Sequence, residues 1–130
     1  MKVLDRIEEG TPPVIFGDGS QAYDFIQVED VARANLLALK SDATDEFFNV
    51  GTGVKTTIEE LVQKLIEISG SEVQPEYRPE EQMFVTFRIG STQKAEKLIG
   101  FRSQISLEEG LRSVVEWRRQ RQQPSAEETV

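Results

Sequence analysis

Nine arginines, two tyrosines at 23 and 77, two glycine pairs and many scattered carboxylates are the groups in this chain that could do chemistry. An arginine is an anion ligand, because its guanidinium gives charge-assisted and often bidentate hydrogen bonds to phosphate or carboxylate. The glycine pairs, Gly17-Asp-Gly19 and Gly51-Thr-Gly53, invite a phosphate-loop reading. Gly51-Thr-Gly53 lies between a strand pattern and a helix pattern, as a dinucleotide fingerprint does, but Thr56 stands at the third glycine position. No acidic residue at the end of a following strand is placed to hold a ribose, so this motif reads as a tight strand-to-helix turn. Gly17-Asp-Gly19 joins two extended segments and reads as a turn too. Carboxylate neighbours such as Asp24 with Asp30 or Glu80 with Glu81 could serve acid–base chemistry, yet 23 acidic residues in 130 make such pairs uninformative. There is no histidine and no cysteine, which removes the commonest general base, a thiolate nucleophile and any zinc–cysteine site.

The bulk properties set the frame for these groups. A chain of 130 residues, 38% of them apolar, suits one domain with one modest core. Its net charge of −8 argues against a nucleic-acid partner, which requires a surplus of Lys and Arg on one face. Any phosphate site must then be local, made by one or two arginines. No apolar run approaches the roughly 20 residues that span a bilayer, and Met1-Lys-Val-Leu-Asp-Arg6 lacks the apolar stretch of a secretory signal. With no cysteine to pair, these features predict a cytoplasmic protein without a membrane partner.

The elements that must position the candidate groups follow from periodicity and caps. Residues 2–9 carry Val3, Leu4 and Ile7 at helical spacing and are stopped by Gly10 and Pro12-Pro13. Val14 to Phe16 and Asp24 to Val28 read as strands on either side of the Gly17–Gln21 turn. Glu29 or Asp30 caps a helix through Leu39 that is apolar nearly all round and is expected to be buried. Phe47 to Val50 reads as a strand, Thr56 or Thr57 starts a helix to Ile68, and Gly70 closes it. Glu72 to Tyr77 reads as another strand, Arg78 to Arg88 as a loop, and Ser91 to Leu98 as a short helix stopped by Gly100. Ser106 and Glu109 form a capping box ahead of a last helix to about Gln120. Residues 121–130 have almost nothing to bury and are expected to be a disordered tail. Gln21 and Lys94 read as surface residues.

The stretch Val14-Ile-Phe-Gly-Asp-Gly-Ser-Gln-Ala-Tyr-Asp-Phe-Ile-Gln-Val-Glu-Asp-Val-Ala-Arg-Ala-Asn35 resembles the start of the substrate-binding portion of extended short-chain dehydrogenases/reductases, the NAD-dependent nucleotide-sugar epimerases and dehydratases. Phe47-Phe-Asn-Val-Gly-Thr-Gly53, Gln93-Lys-Ala-Glu-Lys-Leu-Ile-Gly-Phe101 and Ser106-Leu-Glu-Glu-Gly-Leu111 with Trp117 resemble later blocks of that family in their usual order. The resemblance, closest in kind to UDP-glucose 4-epimerases, covers roughly residues 1–120. It implies a small mixed α/β domain, the C-terminal substrate-binding part of a Rossmann-type enzyme. In that family a dinucleotide-binding domain precedes this segment and only Met1 to Pro13 does here, so the expectation is a portion lacking that domain.

What the resemblance implies for the site is residue by residue. Main-chain groups at Val14 and Phe16 would contact a nucleotide base. Tyr23 stands where many relatives carry a diphosphate-gripping Arg, and a phenol gives only one neutral hydrogen bond in its place. That shifts weight to Arg78, in Tyr77-Arg-Pro-Glu-Glu81, with Glu81 as the ribose acid, and to Arg88 as its competitor. The family's catalytic Tyr with a Lys four residues later is missing, since Gln27 follows Tyr23 and Glu81 follows Tyr77 at that distance. No catalytic residue and no cofactor site is expected here, NAD being the cofactor of the complete enzyme. The leading expectation is a nucleotide-sugar-binding portion that is inactive alone. The alternatives are a binding module that completes a separate dinucleotide-binding chain, and a truncated remnant acting in assembly. An open apolar face and strand edge would lead to self-association or dependence on that missing domain.

Overall fold

The computed structural model describes residues 2–79 and 87–122 of the chain. Its elements run α1 (Lys2–Glu8), β1 (Val14–Phe16), β2 (Ala22–Tyr23), α2 (Val28–Lys40), β3 (Thr56–Thr57), α3 (Ile58–Ser69), β4 (Glu76–Arg78), β5 (Phe87–Arg88), α4 (Gln93–Ile99) and α5 (Leu107–Gln122). This is the mixed α/β arrangement expected, with small sheets rather than a large one. β1 pairs in parallel with β4, and β2 lies between antiparallel β3 and parallel β5.

Two apolar clusters hold these pieces. Leu4 and Ile7 of α1, Ile15 of β1, Val62, Leu65 and Ile66 of α3 and Val115 of α5 form the larger one. Ala34 of α2, Ala95 and Ile99 of α4 and Phe101 form the smaller. α3 has the sharpest ends. Thr57 accepts the Glu60 N–H while the Glu60 side chain accepts the Thr57 N–H, and Gly70 closes the helix in the left-handed region at φ 69°. Ser106 and Glu109 make the same reciprocal pair at the start of α5, and Gly100 ends α4 at φ 68°.

Several expectations are corrected. The second strand is Ala22–Tyr23 rather than Asp24 to Val28, because Asp24 turns its carboxylate to a distant loop and Gln27 already caps α2. α2 is not buried all round: only Asp30 and Ala34 are, while Leu36 is 49% and Leu39 83% exposed. Phe47 to Val50 forms no strand: its contact with the neighbouring Gly90 and Ser91 runs through the Asn49 side chain, Nδ2 donating to the Ser91 carbonyl at 3.2 Å, and not through a main-chain ladder. The fourth strand begins only at Glu76, and Phe87–Arg88 of the expected loop is a strand. α5 continues two residues past Gln120; the rest of the expected tail, 123–130, lies outside the described residues, as do Glu80 and Glu81.

Candidate functional site

The site is built on the edge of β1. Alternation along the strand buries Ile15 to 1% exposure in the core and leaves the Phe16 ring 57% exposed. The main chain alternates as well. Glu76 N–H donates to the Pro13 carbonyl and Gly17 N–H to the Arg78 carbonyl, so the groups of residues 13, 15 and 17 face β4. Those of Val14 and Phe16 therefore face the opposite edge, where no strand lies among the described residues. A turn follows directly. Gly17 and Gly19 hold φ near 77° and 78°, and a Cβ on Gly19 would meet Glu59 Cβ at 3.0 Å.

The turn returns the chain so that Gln21 reaches back to β1. Gln21 is 6% exposed rather than a surface residue, and its Nε2 donates to the Phe16 carbonyl at 2.8 Å. The sequence carries no signal for this contact, which depends on the shape of the intervening turn. Val14, Phe16, Gln21, Tyr23 and Ile58 line a cavity of about 190 Å³ at this edge. On the other side, Val14 and Phe16 join Lys2, Arg6 and Arg78 around a cavity of about 230 Å³. Thus Val14 and Phe16 share one cavity with Tyr23 and another with Arg78, which belongs to β4, the strand paired with β1.

The two arginines sit in different surroundings. Arg78 grips Glu76 with two hydrogen bonds, Nε to Oε1 at 2.8 Å and Nη2 to Oε2 at 3.1 Å. That bond lowers the Glu76 pKa and holds the Arg78 guanidinium still more firmly protonated. Arg88 makes no ion pair among the described residues and is the in-register neighbour of Tyr23 across the β2–β5 pair. It lines a third recess, of about 510 Å³, with Asp24, Asn49, Gly51 and Thr92. Lys94 is tied to Glu46 at 2.6 Å.

The two aspartates are structural clamps. Asp24 accepts from Thr52 N–H at 2.9 Å, Thr52 Oγ1 at 2.5 Å and Gly53 N–H at 2.8 Å. Its carboxylate thereby occupies the amide nest of Gly51-Thr-Gly53, where a dinucleotide pyrophosphate would have to lie, and a Cβ on Gly51 would meet Asp24 Oδ2 at 2.4 Å. The described residues therefore do not fit NAD there. Asp30, 1% exposed, accepts from Gln104 and Ile105 N–H and from Arg33. Burial opposes its ionisation, but the Arg33 bond and the two main-chain donors outweigh this and lower its pKa. Among the described residues no group of three His, Cys, Asp or Glu side chains could hold a metal ion, and no helix is long and apolar enough to cross a membrane.

This architecture has close counterparts. Residues 1–51 match the NAD dependent epimerase/dehydratase family. A UDP-glucuronate 4-epimerase of Thermodesulfobacterium geofontis is 34% identical over 117 residues, covering 89% of this chain and 36% of that protein. The crystal structure of UDP-glucose 4-epimerase from Thermotoga maritima with UDP-glucose superposes with a TM-score of 0.86 at 39% identity, over 92% of this chain and 38% of that one. UDP-N-acetylglucosamine 4-epimerase from Methanobrevibacter ruminantium, in complex with UDP-N-acetylmuramic acid, gives 0.85 at 30% identity, again over 92% and 38%. The chain, spanning little more than a third of the length of these relatives, belongs to the NAD-dependent epimerase/dehydratase family.

Proposed function

We propose that this chain is the nucleotide-sugar-binding part of an NAD-dependent nucleotide-sugar epimerase or dehydratase and is not catalytic by itself. The observation that carries the reading is the open edge of β1. There the main chain of Val14 and Phe16 is turned outward beside Tyr23, and the same two residues line a second cavity with the Arg78 cation of the paired strand β4. A strand edge offers fixed donors and acceptors to a base, and an arginine within the adjoining cavity offers a charge-assisted grip on a diphosphate. Arg88 beside Tyr23 is the second candidate for that grip, and Glu81 the proposed ribose acid.

The chain's contribution to the chemistry is to bind and orient the sugar nucleotide, which lowers the entropic part of a reaction barrier. NAD supplies hydride removal and return when bound to the complete enzyme, and in this proposal it is held outside the Gly51-Thr-Gly53 nest. A second reading, completion of a separate dinucleotide-binding domain in trans, rests on Phe47. This ring is 90% exposed in an extended segment without a strand partner among the described residues. Without a covering domain such an edge favours self-association.

The test is calorimetric titration of the purified chain with UDP, then ADP, GDP and dTDP. Saturable binding that weakens at least ten-fold in Arg78→Ala or Arg88→Ala supports the half-site. A cooperatively melting chain that binds no nucleotide, alone or mixed with a dinucleotide-binding domain, would sink it.

A further inference from the structure

The outer face of α2 carries an apolar stripe that no other described residue covers. Val28, Ala32, Leu36 and Leu39 recur at i, i+4, i+8 and i+11, the period that sets them on one face of a helix. All four are exposed, Val28 at 70%, Leu36 at 49% and Leu39 at 83%, while Asp30 and Ala34 face the interior. Scattered exposed leucines are ordinary on a surface, whereas a stripe at helical period is the face that one helix offers to another. The charges beside it are ordered as well. Glu29 in the first turn and Lys40 in the last lie on the same flank of the stripe, and neither makes an ion pair among the described residues.

An antiparallel copy of the same helix satisfies both features at once. With a twofold axis passing near Ala34, Ala32 of one copy lies opposite Leu36 of the second copy, a small residue against a large one. The same axis brings Glu29 of each copy beside Lys40 of the other, on one flank and at both ends, and sets the two helix dipoles head to tail. A parallel pair would hold Glu29 and Lys40 roughly 16 Å apart along the axis, with no countercharge for either.

We propose that the outer face of α2 is a self-association surface: two copies of this chain pair their α2 helices antiparallel, packing Val28, Ala32, Leu36 and Leu39 together and forming two Glu29–Lys40 ion pairs. The contact is isologous, so each interaction occurs twice. It lies away from the edge of β1 and needs no nucleotide. α2 has 13 residues, a length of about 20 Å, which suits a weak dimer with a dissociation constant on the order of 100 µM rather than a permanent one.

Sedimentation equilibrium of the full chain from about 10 µM to about 1 mM tests this, with thermal melts showing that each variant is folded. Leu39→Lys alters an exposed position, and because both copies lose the side chain it should weaken dimerisation at least ten-fold. Glu29→Lys and Lys40→Glu each set like charges together and should weaken it a few-fold, while the double variant should return to within about two-fold of wild type. Should charge reversal at the ends of α2 spoil cooperative melting, Glu29→Gln and Lys40→Gln carry the same test, the double variant then losing no more than either single one. A chain that stays monomeric at about 1 mM would overturn the proposal. So would a dimer indifferent to Leu39→Lys, or a pair of charge changes whose effects simply add. A monomer that an added dinucleotide-binding domain stabilises against heat, with the effect lost in Leu39→Lys, would assign the stripe to that domain and overturn the proposal as well.

Discussion

The Asp30 carboxylate meets the main-chain N–H of Gln104 with both oxygens, at 2.9 and 3.1 Å, across 74 residues of sequence. It also accepts from Ile105 N–H at 3.0 Å and from Arg33 at 2.6 Å, all at 1% exposure. One side chain thus locks the first turn of α2 to the loop that launches α5. A buried carboxylate with several donors around it is stable only while all are present. Asp30→Ala would leave the Gln104 and Ile105 amides without their acceptor and Arg33 with only the Arg102 carbonyl, and should cost about 1 to 3 kcal/mol. Urea unfolding followed by circular dichroism measures this, and a loss below 0.5 kcal/mol would show that the clamp is idle.

Acid should attack the same clamp. The Asp30 pKa is lowered in the folded chain, so its ionised form contributes stability above the unfolded aspartate value of about 3.9. That contribution is lost as pH falls below this value and through the folded pKa. Wild-type and Asp30→Asn urea midpoints should therefore differ most near pH 7 and converge below about pH 4. A gap that stays constant down to pH 3 would contradict the sign.

Helix ends were legible in the sequence because their causes are local. Thr57 at the start of α3, Ser106 with Glu109, and Gly70 and Gly100 act within one turn, and the structure has them as expected, whereas α2 is capped by Gln27 and not by Glu29 or Asp30. Strands were less legible because pairing is decided elsewhere. Phe47 to Val50 has the composition of a strand and lacks a strand partner among the described residues, whereas Thr56–Thr57 looks like a helix start and still pairs with β2. Within the site, the glycine spacing alone warned that Gly51-Thr-Gly53 is no dinucleotide loop. That the Asp24 carboxylate fills its nest depends on a contact across 28 residues, which no local pattern encodes. Gln21 was misread for the same reason.

The Asp24 clamp predicts a strict requirement at Gly51. Its Cβ position lies 2.4 Å from Asp24 Oδ2, and Gly51 is buried. Gly51→Ala must push the carboxylate off the Thr52 and Gly53 amides, at a cost of about 2 to 3 kcal/mol for the unsatisfied donors and the strain. Gly70→Ala provides the contrast, since nothing lies within 4 Å of its Cβ position and only its φ of 69° is penalised, about 1 to 2 kcal/mol. If the two variants lose the same stability in parallel urea titrations, the steric argument for Gly51 fails.

The Thr57 cap offers a smaller and cleaner effect. Thr57→Ala removes the acceptor for the Glu60 N–H, 3.1 Å away, without disturbing the Glu60 bond back to the Thr57 N–H at 2.8 Å. About 1 kcal/mol should be lost, and Thr57→Ser should recover most of it. An equal loss in the serine variant would mean that the methyl group, not the hydroxyl, sets the start of α3.

The bidentate grip of Arg78 on Glu76 bears directly on which arginine serves a diphosphate. Both side chains are about half exposed, at 48% and 45%, so the pair is weak enough to be exchanged for a better acceptor. A diphosphate bound by Arg78 must displace Glu76 or share the guanidinium with it, and the carboxylate also repels the incoming anion. Glu76→Gln should then strengthen UDP binding a few-fold, while Arg78→Ala weakens it at least ten-fold and reduces its dependence on salt. Arg88 has no such competitor among the described residues, so if it were the principal ligand, Glu76→Gln would leave the affinity unchanged and Arg88→Ala alone would abolish the salt dependence. Titration of the three variants at two salt concentrations separates these cases, and an unchanged affinity in Glu76→Gln would move the diphosphate site from β4 to β5.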